Sequence, residues 1–154
     1  MNTQTIPTAL HRGEKDLPFV NILEGLKVQV LHADVEAGFW VTRMRADPGV
    51  ALQRHKHTGE VFAFTVAGSW QYLEYPEINT AGSYLYEPAG SIHTLYVPHS
   101  NTSVTDVWFV IHGALLYLDA QGNVESVSDA SSALERYLTA CREAGLPRPD
   151  VMTL

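Results

Sequence analysis

His55 and His57 are separated by a single residue, and a third histidine, His93, follows Pro88 and Gly90 further along the chain. On a strand, side chains at i and i+2 share a face, so the first two imidazoles aim at one point. A third imidazole arriving on a second strand would close three nitrogen ligands around one divalent cation and leave neighbouring coordination positions open. Open positions are what a catalytic metal needs. Imidazole serves Fe, Zn, Ni and Cu alike, so these residues point to a metal centre without choosing the metal. Glu74 and Glu87 are the carboxylates between the second and third histidines whose positions suit a role beside that metal.

The elements that must position these groups are short and β-rich. Strand-like runs cover Leu26–Leu31, Gly38–Arg45, Val61–Ala67, Trp70–Tyr75, Ser83–Tyr86 and His93–Val97, and Val104–Leu118 reads as two strands. Asp47-Pro48-Gly49, Ala67-Gly68-Ser69 and Gln121-Gly122-Asn123 punctuate them. Many short strands at this spacing predict a sandwich or a small barrel. One helix is expected at the end of the chain, over 129–145. There Ser132 and Glu135 have capping-box spacing, Leu134, Tyr137, Leu138 and Cys141 form an apolar stripe, and Gly145 and Pro147 stop the run. The stripe predicts packing against the outside of the barrel, with Cys141 as a small core residue. Residues 1–18 are polar and contain Pro7 and Pro18, and they read as an arm that packs on a partner subunit.

The 154 residues make one domain, with no internal repeat, large enough to bury a core without a disulfide. Seventeen acidic against ten basic side chains give a formal charge of −7, which disfavours nucleic acid as a partner. The single cysteine cannot pair within the chain, and residues 1–19 lack an apolar core of signal-peptide length. The longest apolar run, Val107–Leu118, is interrupted by His112 and Gly113 and is too short for a membrane helix. A cytoplasmic protein with no membrane partner is expected. His112 lies among apolar residues and reads as a core or pocket-lining side chain that would hydrogen-bond a substrate oxygen.

Gly49, five residues, then His55-x-His57, with a turn glycine at Gly68, resembles the first cupin motif. Gly82, five residues, then Pro88-x-Gly90-x-x-His93 resembles the second, with Val97 where an Asn usually stands. The resemblance spans 49–97 and implies an all-β fold, a small jelly-roll-like cupin β-barrel with a C-terminal α-helix. Finer likenesses lie at His-Lys-His-Thr-Gly (55–59), Gly-Ser-Trp (68–70), Glu-Pro-Ala-Gly (87–90) and His-Gly-Ala-Leu-Leu-Tyr-Leu-Asp (112–119). They resemble dihydroxyacetophenone dioxygenase and the β-diketone-cleaving (acetylacetone) dioxygenases.

Most cupins add a fourth ligand, a glutamate seven residues before the turn glycine, and here that position is Val61. Glu60 is one residue away, which on a strand means the opposite face, so it is expected toward solvent or a subunit contact. If 61–67 and 69–75 form a hairpin about Ala67-Gly68, Glu74 stands nearly opposite Val61 and shares a face with Trp70 and Tyr72. Glu74 would then point inward, as a metal ligand or as the partner of a metal-bound water; the alternative is an exposed strand-end carboxylate. For Glu87 the resemblance implies a place near the metal, accepting the second ring N–H of a ligand histidine, against a plain turn-stabilising role.

The resemblance further implies a mononuclear non-haem Fe(II) dioxygenase that uses O2 to cleave a carbon–carbon bond in a small α-hydroxyketone or β-diketone. Glu74 or Glu87 would take the substrate proton. Zn or Ni would also occupy the site on purification, because affinity alone does not select iron. The alternatives are a Zn-binding cupin sensor similar to the cupin half of anti-sigma factors, or a metal-dependent isomerase or hydrolase. A homodimer or higher homo-oligomer is expected, from the arm and from the exposed sheet edges of such a barrel.

Overall fold

Runs of β-branched and aromatic residues, cut by glycine, proline and asparagine, build the strands of the computed structural model, which describes residues 6–153. In chain order they are β1 (Val20–Leu23), β2 (Leu26–Asp34), β3 (Phe39–Ala46), β4 (His55–His57), β5 (Val61–Ala67), β6 (Ser69–Tyr72) and β7 (Ile78–Thr80). They continue with β8 (Tyr84–Glu87), β9 (Ile92–His93), β10 (Leu95–Tyr96), β11 (Thr105–His112), β12 (Leu115–Leu118), β13 (Val124–Ser128) and β14 (Met152–Thr153). Helix α1 (Ala130–Glu143) precedes the last strand.

The strands form three ladders: β1-β2-β3-β11-β5-β8 with β14 beside β2, β10-β6-β7, and β13-β12-β4-β9. The expected all-β cupin architecture with a C-terminal helix is therefore present, as two faces of sheet around a core. The ladders are not joined by continuous hydrogen bonding into a closed barrel. Inward side chains such as Trp40, Met44, Val61, Trp70 and Val107 are buried between them.

The chain does not fold back on itself at Gly68. β5 pairs with β11 and β8, whereas β6 pairs with β10 and β7, so Gly68 carries the chain from one sheet to another. Its φ of 75° favours glycine, and a Cβ there would collide with Thr105. The hairpin expected between 61–67 and 69–75 is therefore absent, with consequences for the carboxylates below.

Part of the N-terminal stretch is tied to its own chain. From Arg12 to Pro18 it packs on its own chain: Gln29 Nε2 donates to the carbonyls of Glu14 and Leu17 at 2.9 and 2.6 Å, and Leu17 is buried. Residues 1–5 of the expected arm lie outside the described residues. Helix α1 falls within the expected range, but its N-cap is Asp129. The Asp129 carboxylate accepts from Ser132 N, and Asp129 N donates to Ser132 Oγ, both at 2.8 Å. This box replaces the expected one from Ser132 to Glu135, because an Asp three residues earlier already satisfies the first-turn N–H groups. Tyr137 and Cys141 are buried on the inner face of α1, and the Tyr137 hydroxyl donates to the Pro18 carbonyl at 2.7 Å.

One buried ion network ties the first sheet. Asp106 on β11 stands opposite Arg45 on β3 and accepts two hydrogen bonds from Arg43 and one from Arg45 at 2.8–2.9 Å. Burial pushes the Asp106 carboxyl up, but the two guanidinium groups outweigh it and hold the acid below its ordinary range. A depressed folded pKa means stability that is present above the unfolded value and lost as pH falls through the folded one. The urea midpoint is therefore expected to drop in the acid range below about pH 4. Asp106→Asn should cost about 3 kcal/mol at pH 7, because it leaves Arg43 and Arg45 only the half-exposed Glu14 carboxylate, and should flatten that acid limb.

Candidate metal centre

Alternation within β4 aims its ends inward: His55 and His57 are buried and Lys56 between them is exposed. β9 lies antiparallel to β4 with His93 directly opposite His55. The three ring centroids lie 4.9, 4.9 and 5.0 Å apart, a near-equilateral triangle. One ring nitrogen from each falls within 4.8 Å of the others. Three imidazoles so placed occupy one side of a cation and leave the other side open.

The electrostatics prepare these rings as ligands. His55 Nδ1 lies 2.8 Å from the Gln53 carbonyl, which only accepts, so Nδ1 carries the proton and Nε2 keeps its lone pair. Burial pulls the His55 pKa down to about 4, against the pull of the Gln53 carbonyl, so the ring is neutral at pH 7. His57 Nε2, His93 Nε2 and Glu87 Oε2 are buried close together, the carboxylate oxygen 3.0 and 3.2 Å from the two nitrogens, yet none of them makes a well-aligned hydrogen bond. Orphaned polar atoms in an apolar interior are costly, and a divalent cation held by the imidazole nitrogens would satisfy them and offset the charge of the carboxylate beside them. The residues therefore fit a metal ion.

Glu87 is the carboxylate of this site. Val61 is paired with Glu87 across β5 and β8, so both side chains point inward at the same level. The carboxylate missing at Val61 is thus supplied from the neighbouring strand. Glu87 Oε2 lies 3.0 Å from His57 Nε2 and 3.2 Å from His93 Nε2, while Oε1 accepts from the Tyr72 hydroxyl. Burial raises the Glu87 pKa, but His57 and His93 more than reverse this and bring it to about 2. Tyr72 in turn stacks on the His93 ring, 3.7 Å between centroids.

Glu74 is placed elsewhere. β6 ends at Tyr72, and the Glu74 carboxylate accepts from Thr94 N and Thr94 Oγ1 at 2.8 Å, partly exposed beside Arg54. Trp70 and Tyr72 do face inward as expected, but the strand stops before the alternation reaches Glu74. Glu60 is exposed and accepts from the Tyr86 hydroxyl at 3.1 Å. His112 is not a pocket residue: Val107, Phe109 and Ile111 take the inward positions of β11, which turns His112 to the outer face beside Phe39 and Phe62.

A cavity of about 140 Å³ opens beside His55, His57 and Glu87, walled by apolar side chains that include Trp40, Phe109, Ile111 and Leu115. A dry cavity of about 150 Å³ holds a benzene-sized molecule, so a small organic ligand suits this one. Helix α1 closes the far side with Tyr137 and Arg136. Arg136 was not legible as a site residue in the sequence, since its place depends on where the helix docks. A second cavity, about 230 Å³, lies behind Tyr72, Glu87 and His93.

Fold and site together define a cupin with a three-histidine set that can hold a metal. The family model described as the ChrR cupin-like domain matches residues 10–116, and the chain belongs to that family. A protein of unknown function with a cupin-like fold from Ralstonia eutropha JMP134 is 34% identical, with a TM-score of 0.87 over 97% of this chain and 95% of its own. An RmlC-like cupin protein from the same organism is 31% identical at a TM-score of 0.87, covering 99% of each chain. An acetylacetone dioxygenase from Acinetobacter johnsonii shares the fold at 19% identity and a TM-score of 0.76, over 91% of this chain and 97% of its own. No curated protein matches the chain. Among the described residues, no helix is long and apolar enough to cross a membrane.

Proposed function

We propose that this protein is a mononuclear non-haem Fe(II) dioxygenase that cleaves a carbon–carbon bond in a small β-diketone or α-hydroxyketone. The observation that carries the reading is the half-open triangle of His55, His57 and His93 facing an apolar cavity of small-molecule size. The likeness in fold to an acetylacetone dioxygenase supports it. Bound Fe(II) would supply redox chemistry toward O2 that Zn(II) cannot. The apolar wall excludes water, which strengthens every charge interaction in the site. Glu87, whose Oε2 lies beside the histidine nitrogens, would take the proton lost when the substrate becomes an enolate. Its other oxygen stays on the Tyr72 hydroxyl, which keeps the carboxylate oriented. Both oxygen atoms of O2 end in the products, a carboxylic acid and a second carbonyl or acid fragment.

Stripping the metal and restoring Fe(II) under argon should give oxygen uptake with an aryl α-hydroxyketone or a β-diketone, while Zn restores none. Folded Fe(II)-loaded protein that consumes no oxygen with either class would overturn the reading. Membership of the ChrR cupin-like family favours, as second reading, a metal-binding sensor without catalysis. That result would move the assignment there.

The proposed partner is a second copy of the chain. On the outer face of β5 and β8, Phe64, Val66, Tyr84 and Tyr86 are each about half exposed, next to Phe62 and Val110. An apolar patch of several hundred Å² on a monomer marks an interaction surface. None of these six side chains is charged, which favours the approach of two chains of charge −7 there, with Glu60 on the Tyr86 hydroxyl at the edge of the patch. Sedimentation at micromolar concentration should give a dimer or a multiple of it; a 17.0 kDa species would refute the pairing.

A further inference from the structure

Apart from its tyrosines, the cavity beside the histidines has charged or ionisable lining groups at two places. One is the cluster of His55, His57 and Glu87, and the other is Arg136 on α1. Arg136 Nη2 donates to Ser128 Oγ at 2.9 Å, and no ion pair among the described residues includes Arg136. An exposed arginine would ordinarily be a solvated surface group. This one is tethered by a buried serine at the rim of an apolar cavity.

The ladder sets the distance. His57 pairs with Leu115, and Leu115 pairs with Ser128, so the three side chains lie on one face of β4, β12 and β13. Neighbouring strands are about 4.7–4.9 Å apart, which puts the Ser128 backbone roughly 10 Å from the His57 backbone, with both side chains turned to the same side. Leu115, between them, is apolar.

We infer that Arg136, held by Ser128, forms an anion subsite, so that the ligand of this cavity has a metal-binding oxygen group at one end and a carboxylate at the other. The planar guanidinium matches a carboxylate with two parallel hydrogen bonds, and its tether fixes the direction of approach. A few convergent polar groups in an apolar pocket orient a ligand in this way. The inference deepens the proposed function and relies on it only for the metal-binding end.

The test uses the full chain loaded with zinc, so that binding is read without turnover. Benzohydroxamate, which chelates metals through two oxygens, is titrated calorimetrically beside 4-carboxybenzohydroxamate. The carboxylated probe should bind about tenfold more tightly, the order expected for one charge-assisted contact at a partly exposed site. In Arg136→Gln, which keeps helix propensity, the ratio of the two dissociation constants should fall to near one, with the circular dichroism unchanged. Arg136→Lys should keep part of the preference, as a point charge without the fork. A merely structural Arg136 would lower stability without altering the ratio. Equal affinity of the wild-type protein for both probes, or a preference that survives Arg136→Gln, would overturn the subsite while leaving oxygen uptake with neutral diketones intact. Failure of both probes to bind would remove the metal cavity and the subsite together.

Discussion

Changing His57 to Ala is expected to take metal content from about one ion per chain to background, measured by plasma mass spectrometry on protein reloaded with Fe(II) or Zn. The same loss is expected for His55→Ala and His93→Ala, because the three rings form one triangle and each offers a nitrogen the others cannot replace. Losing a partner that only orients a ligand typically costs about 10–100-fold in metal affinity, so loss of a direct ligand should exceed about 100-fold. His112→Ala is the control, since that imidazole lies on the outer face of β11, and it should keep full occupancy. Full metal content in all three histidine variants would sink the assignment.

The second large effect concerns the carboxylates. Glu87→Gln keeps the shape and an acceptor for the Tyr72 hydroxyl but removes the charge beside His57 and His93. Metal affinity should fall by about 10–100-fold, with a loss of turnover at saturating metal that is at least as large. Glu74→Gln should change neither measurably, because that carboxylate is spent on Thr94. Tyr72→Phe is expected between the two: it leaves Glu87 Oε1 without its donor in a buried setting while the charge remains. Should Glu74→Gln abolish metal binding and Glu87→Gln leave it untouched, the β5–β8 register described above would be refuted.

The difference between those two glutamates marks where local reading ends. His55 and His57 were legible because period-two alternation is a property of three consecutive residues, and the Gly82-to-His93 frame is equally local. Placing Glu74 opposite Val61 required knowing that β5 pairs with β6. Gly68 instead passes the chain between sheets, and β8 comes to lie against β5. Strand pairing is chosen by burial and packing of distant segments, which no window of sequence contains. His112 was misplaced for a smaller reason of the same kind: a one-residue difference in parity on β11 exchanges pocket for outer face.

The sequence by itself determined the strand-rich class, the three histidines and the existence of α1, because each follows from periodicity or turn residues a few positions apart. Only the tertiary structure decided which carboxylate meets the histidines, that residues 12–18 fold onto their own sheet, and that α1 brings Arg136 to the rim of the cavity. Those outcomes depend on contacts between residues up to more than a hundred positions apart, such as the Tyr137 hydroxyl on the Pro18 carbonyl. Contacts of that range form only when loop closure is repaid by burial of whole elements, so they belong to the folded chain and not to any segment of it.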